Sequence, residues 1–188
     1  MSTLLEFDQW LFLLLNGAHT PWMDTVMIAI TNKLVWIPLY VLLLVLTIRE
    51  YKKGALWVCV FVIFTITASD QLSTWGFKEV FQRLRPCHAE DLASSIHLLV
   101  GCGGKYGFVS SHATNAFALA MFLGSVLGRR WPVFRSGLMI WAAIVSYSRV
   151  YVGKHYPLDI FCGAILGLFI GWVMIRAYRT FIYKFVSS

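Results

Sequence analysis

Charged residues are scarce in this sequence, and their scarcity argues against a soluble globular domain. Asp, Glu, Lys and Arg make up 13% of the 188 residues, whereas soluble domains carry roughly 25%. Hydrophobic residues make up 59% and come in long runs separated by short hydrophilic breaks. The length suits one domain. The sequence therefore predicts a single integral membrane domain over residues 1–188, an all-α polytopic transmembrane helical bundle.

Acidic residues are almost missing from the breaks that hold most of the basic residues. Glu50 is the only acid there, and this asymmetry follows the positive-inside rule, which places those breaks in the cytoplasm. The net charge of +7 therefore needs no nucleic-acid partner, and the other breaks are expected to face outward. The basic residues in question are Arg49, Lys52, Lys53, Arg129, Arg130, Arg135, Arg176, Arg179 and Lys184.

Cysteine pairs with the spacing of a metal site are absent among the four cysteines. Cys59 and Cys162 fall inside apolar runs, where we expect inert packing residues. Cys87 and Cys102 flank an outward-facing segment. In an oxidising compartment they could form a disulfide worth about 3 kcal/mol, and two free thiols are the alternative.

Five apolar runs predict transmembrane helices, since a span needs about 20 largely apolar residues. Residues 1–33 instead contain two shorter runs separated by Gly17 and Pro21. They predict a helical hairpin that lies in or dips into the outer leaflet. A single bent segment, which would make six spans, is the alternative. The five expected spans cover residues 34–48, 54–77, 111–127, 131–151 and 157–175, with residues 78–107 as a long outer loop.

One carboxylate, that of Asp70, falls inside a predicted span. At helical spacing it shares a face with Thr74 and Lys78. An ionisable group in a hydrocarbon environment is a functional hypothesis by default. We expect Asp70 to be the partner of a basic residue rather than a group that reacts.

Three polar clusters lie at the outward boundaries of the predicted spans, at residues 78–86, 109–112 and 148–159. If the spans form one bundle, the clusters can converge at one membrane depth. Together they supply the cations Lys78, Arg85 and Arg149 and the hydroxyl of Ser110. Guanidinium groups match phosphate oxygens, and the start of the span at 111 adds free backbone N–H groups. The pattern predicts a phosphate-binding pocket.

Two histidines add reactive groups to this pocket. Pro157 suits the first turn of a helix, which puts His155 just before the helix and Asp159 in its first turn. A neutral histidine beside a carboxylate is a candidate nucleophile. With His112, one histidine could attack phosphorus while the other protonates the leaving oxygen, and the cations would stabilise the transition state. A metal site of His112, His155 and Asp159 is the alternative, but three permanent cations would repel a divalent ion.

The three clusters read Lys-x6-Arg-Pro, Ser-x-His and Ser-Arg-x5-His-x3-Asp across residues 78–159. This arrangement resembles the three-part signature of the type 2 phosphatidic acid phosphatase superfamily. The first and third parts match fully. In the second, Val109 and Ser111 stand where the family usually has Pro and Gly. The resemblance implies a helical bundle with its site at the outer membrane face and no metal or other cofactor.

The resemblance also implies a role for each matching residue. His155 would be the nucleophile that forms a phosphohistidine, Asp159 would orient it, and His112 would be the general acid. Among the residues that the signature does not specify, we expect Glu79, Arg83, Lys105 and Lys154 to be solvated interface residues. We expect His19, His88 and His97 to be loop or interfacial histidines. The phosphate would be held by Lys78, Arg85, Ser110, Ser111 and Arg149.

The small size and the outward site suggest a lipid phosphate substrate whose tail stays in the bilayer. The architecture looks most like bacterial undecaprenyl diphosphate phosphatases, which implies a bacterial inner membrane location with the site facing the periplasm or cell exterior. Phosphatidylglycerol phosphate, phosphatidic acid and lipid A phosphates are rival substrates. A non-catalytic lipid transporter or binding protein is the rival class, although a mere binder needs no nucleophile. The sequence leaves the oligomeric state open.

Overall fold

The protein is all-helical, as the composition predicts. The computed structural model describes residues 2–90, 92, 95–128 and 131–185, and no β-strand occurs in these ranges. Arg129 and Arg130, which entered the positive-inside argument, lie outside the described residues. The α-helices are α1 (Ser2–Gly17), α2 (Pro21–Thr31), α3 (Ile37–Tyr51), α4 (Ala55–Gln71), α5 (Glu79–Phe81), α6 (Ser111–Leu127), α7 (Pro132–Tyr151) and α8 (Pro157–Phe185).

Within the described ranges, two helical stretches are long and apolar enough to cross a membrane. One is Pro157–Phe185, and the other is Lys33–Phe81, which includes α3, α4 and α5. Within the second stretch, a 3₁₀ turn at Lys52–Gly54 joins α3 to α4, and a π-helix at Leu72–Lys78 joins α4 to α5. Helix α6 is also apolar but shorter. The number of spans, five or six, therefore stays a prediction.

Helix α6 lies at the centre of the bundle. It contacts α3, α4, α7 and α8, and most of its residues are buried. Its buried apolar side chains, including Phe122 and Leu127, form the main core with Val58 of α4 and Trp141 of α7. Because polar residues at the start of α6 belong to the predicted pocket, the packing of this helix fixes where the pocket forms.

Three glycines on α8 allow α6 and α8 to approach closely. Gly163, Gly167 and Gly171 recur at i, i+4 and i+8, so they share one helix face. A Cβ atom at Gly167 would lie 2.3 Å from the carbonyl oxygen of Thr114, and one at Gly171 would lie 2.7 Å from that of Ala118. Small residues permit this kind of backbone contact between membrane helices. The glycine face therefore sets the distance between α6 and α8.

The N-terminal segment consists of two helices, α1 and α2, joined by residues 18–20. Both helices pack on α7, and α1 also contacts α8. The buried side chain of Asn16 donates to the carbonyl oxygens of Val150 (3.3 Å) and Tyr151 (2.7 Å), and it accepts from the backbone N–H of His97 (2.7 Å). The hairpin is thus attached to the outer end of α7 and to the outer loop. Its depth in the bilayer stays a prediction.

We expect Gly167→Ala to destabilise the protein, because the added methyl group would overlap the backbone of α6. Overpacking of this kind costs about 2 kcal/mol, which lowers the melting temperature of a chain of this size by about 4–8 °C. Thermal unfolding in detergent measures the change. Gly137→Ala on α7 is the matched control, because a Cβ there meets no atom within 4 Å. Equal melting temperatures for the two variants would contradict the close-approach argument.

Candidate active site

Lys78 reaches the site from the end of the π-helix. Its ammonium group donates a short hydrogen bond to the hydroxyl of Ser111, and the hydroxyl of Ser73 lies 2.7 Å from the same oxygen. A π-helix has a wider turn than an α-helix and occurs often at functional sites. Because this π-helix lies between Asp70 and Lys78, the two residues are not related by the regular α-helical spacing that the sequence predicts. Asp70 lines the same cavity as Lys78, and its role as the partner of a base stays a prediction.

Arg85 is held by backbone carbonyl groups of the outer loop. Its Nε donates to Tyr106 O (3.1 Å) and its Nη1 to Cys102 O (3.0 Å). A disulfide joins Cys87 to Cys102, with 6.0 Å between the Cα atoms, which is the pairing that the sequence left open beside two free thiols. An isolated β-bridge between Leu84 and Tyr106 closes the base of this loop. The loop therefore fixes one cation of the pocket.

Ser110 directly precedes α6, whose first residues Ser111 and His112 line the cavity. The backbone N–H of Ser110 donates to the carbonyl oxygen of Asp159 (3.0 Å), which ties the start of α6 to the start of α8. The Ser110 hydroxyl is fully buried and has no hydrogen-bond partner in the described part of the chain. Buried polar groups are rarely left unpaired. This hydroxyl is therefore a buried unpaired group directly beside Ser111, which lines the cavity.

Arg149 approaches from the last turn of α7 and is only 4% exposed. Its Nη1 donates to the hydroxyl of Thr31 at 2.5 Å, and its Nε has no partner in the described part of the chain. A buried guanidinium with spare N–H donors is costly unless it meets an anion. The Arg149 side chain therefore has a free donor for a bound anion.

His155 and Asp159 form a buried pair at the start of α8. His155 Nδ1 lies 3.3 Å from Asp159 Oδ2, which also accepts from the backbone N–H of Tyr156 (3.1 Å). Burial, followed by the nearby charges of Arg85 and Arg149, lowers the pKa of His155 well below its usual value, so the ring is neutral at pH 7. Because an ionised carboxylate only accepts hydrogen bonds, the proton lies on Nδ1. The lone pair of Nε2 is then free to attack.

One cavity of about 860 Å³ brings these groups together. His112, His155 and the three predicted cations line it, as does Ser111, while Ser110 and Asp159 lie behind the lining. Gly107 packs directly against the pair, since a Cβ there would lie 3.0 Å from Asp159 Oδ2. The eight residues that the sequence singled out thus converge on one place.

Two basic residues that we expected at the solvated interface belong to this site instead. Lys154 lines the cavity, and Arg83 donates to Asp159 Oδ1 at 3.0 Å. Burial, followed by the charges of Arg149 and Arg85, lowers the pKa of Lys154 to about 8. Their positions were a signal that could have found them: Lys154 precedes the candidate nucleophile, and Arg83 lies two residues from Arg85.

A second titratable cluster lies at the N-terminal hairpin. His19, Asp24 and His97 have ligand atoms within 4.8 Å of one another, so metal binding has to be considered. The two imidazole rings are stacked, with centroids 3.6 Å apart and planes within 4°. A metal ion lies near the plane of each imidazole that binds it, and two parallel planes share no such point. In this arrangement the cluster does not form a metal site.

The fold and the site together define a helical bundle with a cavity lined by cations and two histidines, one of which contacts a buried carboxylate. A family profile of the PAP2 superfamily matches residues 54–183, so the chain belongs to that superfamily. This confirms the family resemblance carried by the three motifs.

The relatives include two proteins named lipid A 4'-phosphatase. The one from Bacteroides thetaiotaomicron is 38% identical over 90% of this chain and 76% of its own length. The one from Porphyromonas gingivalis is 35% identical over 95% of this chain and 75% of its own length. An undecaprenyl-diphosphatase from Sulfolobus acidocaldarius is 31% identical over 94% of this chain and 81% of its own length.

Solved structures show the same fold. A PAP2-type phosphatidylglycerolphosphate phosphatase from Bacillus subtilis superposes with a TM-score of 0.73 at 22% identity, covering 98% of this chain and 90% of its own. Aquifex aeolicus LpxE gives a TM-score of 0.65 at 23% identity, and the match covers 89% of this chain and 94% of the LpxE chain. These similarities confirm an all-helical fold shared with membrane phosphatases.

We expect Lys154 to strengthen anion binding only below about pH 8, where it is charged. In wild type, the affinity for inorganic phosphate should weaken as the pH rises from 7 to 9.5. Lys154→Met should weaken binding at pH 7 by about tenfold, the size of one charge-assisted hydrogen bond, and should remove that part of the pH dependence. Calorimetric titration measures the dissociation constants.

Lys105→Met is the control for this prediction, because Lys105 is an exposed lysine of the outer loop and is not among the residues that line the cavity. Similar losses for the two variants would indicate a general effect of surface charge. Unchanged binding by Lys154→Met would contradict the assignment of Lys154 to the anion site.

Proposed function

We propose that this protein is a lipid phosphatase that removes a phosphate group through a phosphohistidine intermediate, without a metal ion. One observation carries the proposal: neutral His155, held at Nδ1 by Asp159, forms part of the wall of a cavity lined by Lys78, Arg85 and Arg149. Membership of the PAP2 superfamily supports it. An anion binder would need the cations but not the oriented histidine.

In the proposed first step, Nε2 of His155 attacks phosphorus and the bond between phosphorus and the lipid oxygen breaks. Asp159 stabilises the positive charge that develops on the imidazole ring. His112 protonates the leaving oxygen, and the negative charge of the bound phosphate favours the imidazolium form that this step needs. The cations and the free Ser110 hydroxyl stabilise the equatorial oxygens of the transition state.

In the second step, water attacks phosphorus and His112 takes up a proton from that water. The bond between nitrogen and phosphorus breaks, inorganic phosphate leaves, and His155 is restored. The residues present therefore provide a nucleophile, an orienting carboxylate, an acid–base group and electrostatic stabilisation.

The shape of the cavity supports a substrate with a hydrocarbon tail. Below the polar groups the lining becomes apolar, with Leu119, Leu123 and Trp141 on one side and Leu43 and Val62 on the other. From His112 to Leu123 the lining follows α6 for about 16 Å at the rise of an α-helix. This length is close to one leaflet of a bilayer core, about half of 30 Å. The cavity can thus hold a phosphate head and part of a lipid chain together.

We propose a lipid A phosphate as the first candidate substrate. Two relatives named lipid A 4'-phosphatase have 38% and 35% identity over most of both chains. Undecaprenyl diphosphate, which the sequence analysis placed first, is the second candidate. It is favoured by the relative named undecaprenyl-diphosphatase at 31% identity and by the extra cation Lys154, which suits a second phosphoryl group.

We expect purified protein to release phosphate from its lipid in the presence of EDTA, and His155→Ala to abolish release. Without the nucleophile no phosphohistidine forms, and the loss should exceed 10³-fold by comparison with other enzymes that lose their nucleophile. Colorimetric phosphate release measures the rate, and mass spectrometry at neutral pH detects phosphorylated His155. His88→Ala, in the outer loop, is the matched control. Release that EDTA stops, or that survives in His155→Ala, would contradict the mechanism.

We expect a substrate panel to separate the two candidates. The panel contains lipid A with a 4'-phosphate, undecaprenyl diphosphate, phosphatidylglycerol phosphate and phosphatidic acid, each in the same detergent. The preferred lipid should exceed the others in kcat/KM by at least about tenfold, a difference of 1.4 kcal/mol in transition-state binding. A higher value for undecaprenyl diphosphate would reverse our order. Binding of a lipid without any turnover would favour a transporter or binding protein.

A further inference from the structure

Arg83 joins two carboxylates that come from opposite ends of the chain. Its Nη1 donates to Asp159 Oδ1 at 3.0 Å, and its Nη2 donates to Asp8 Oδ2 at 2.6 Å. The guanidinium also lies over the ring of Tyr156, 4.0 Å from the centroid. A planar fork with two engaged nitrogens and a ring beneath it has little freedom to rotate. Arg83 is therefore a fixed link between helix α1 and the candidate catalytic pair.

Asp8 contacts the start of α8 a second time. Its Oδ1 accepts from the backbone N–H of Leu158 at 2.8 Å, so a side chain of α1 caps the first turn of α8. Anions are stabilised at this end of a helix. The Asp8 side chain is only 5% exposed, and a carboxylate buried this deeply needs partners to offset its lost hydration. Both of its oxygens find those partners beside Asp159.

The two oxygens of Asp159 face in different directions. Oδ2 faces His155 and the backbone N–H of Tyr156, while Oδ1 faces Arg83. A carboxylate bound at both oxygens cannot turn about its own axis. The guanidinium therefore fixes the angle at which Asp159 meets the imidazole ring, and Asp8 fixes the guanidinium.

We infer that Asp8 and Arg83 are positioning residues for the proposed reaction, and that helix α1 completes the active site through them. The group formed by Asp8, Arg83 and Asp159 carries a net charge of −1 when both acids are ionised. The imidazole of His155 becomes positive as it attacks phosphorus, so this charge stabilises the transition state more than the ground state. The inference rests on the proposed phosphatase function.

The test begins with Asp8→Asn, which keeps an oxygen for the Leu158 N–H but removes the charge that holds Arg83. We expect kcat to fall on the order of tenfold, the size of the loss when a residue that orients a reactive group by a hydrogen bond is removed. KM should change less than twofold, because neither residue touches the cavity cations. Glu6→Gln is the matched control, since Glu6 is an exposed acid on the same helix. It should keep wild-type kcat and KM.

A double-mutant cycle separates positioning from a structural role. Arg83→Met should lower kcat at least as much as Asp8→Asn, and Arg83→Lys should recover part of the loss because one contact can re-form. In the Arg83→Met background, Asp8→Asn should lower kcat by less than twofold further, since coupled residues are not additive. A further tenfold loss in that background, a rise in KM instead of a fall in kcat, or an equal loss in Glu6→Gln would overturn the inference.

A second readout tests the inference without any lipid. Diethyl pyrocarbonate acylates unprotonated imidazole nitrogen, and mass spectrometry gives the rate at His155. Asp8→Asn and Arg83→Met should slow this rate several-fold relative to wild type and Glu6→Gln. If wild type releases no phosphate from any lipid, the proposed function fails, while this rate still tests the positioning. If wild type releases phosphate and Asp8→Asn matches it in both kcat and acylation rate, the positioning inference fails alone.

Discussion

The close packing of α6 against α8 is the constraint on which the rest of the site depends. Gly167 and Gly171 let the two backbones approach to a distance that a single methyl group would prevent. At the outer end of this contact, the N–H of Ser110 donates to the carbonyl oxygen of Asp159. The start of α6, with His112, is therefore fixed against the start of α8, with His155. Without this contact the two histidines would have no common cavity.

Charge is distributed unevenly around that cavity. Most of the charged groups that line it are cations, and desolvation makes each of them costly without an anion. Asp8 and Asp159 are not among the lining residues and both pair with Arg83, whereas Asp70 does line the cavity. A phosphate in this cavity would therefore meet several cations, while the carboxylates of Asp8 and Asp159 stay paired with Arg83. His155, the candidate nucleophile, stays neutral in this volume because burial and the nearby positive charges lower its pKa.

Polar contacts at the outer end hold together segments that are distant in the chain. Asn16 connects α1 to α7 and to the outer loop, and the disulfide between Cys87 and Cys102 closes the loop that holds Arg85. Few water molecules compete at the edge of a hydrocarbon region, so such contacts keep much of their strength. These contacts therefore hold α1, α7 and the outer loop together around the candidate site.

The sequence by itself determined the helical class, the superfamily and the residues of the three motifs, because apolar runs and fixed spacings are local properties. Tertiary structure decided the rest. Arg83 meets Asp8 across 75 positions and Asp159 across 76, and no local pattern encodes such pairs. The π-helix before Lys78 alters a register that regular helical spacing predicts. The outer loop has to fold back on itself for Cys87 to pair with Cys102. Likewise, only the packing of the bundle brings Lys154 to the cavity.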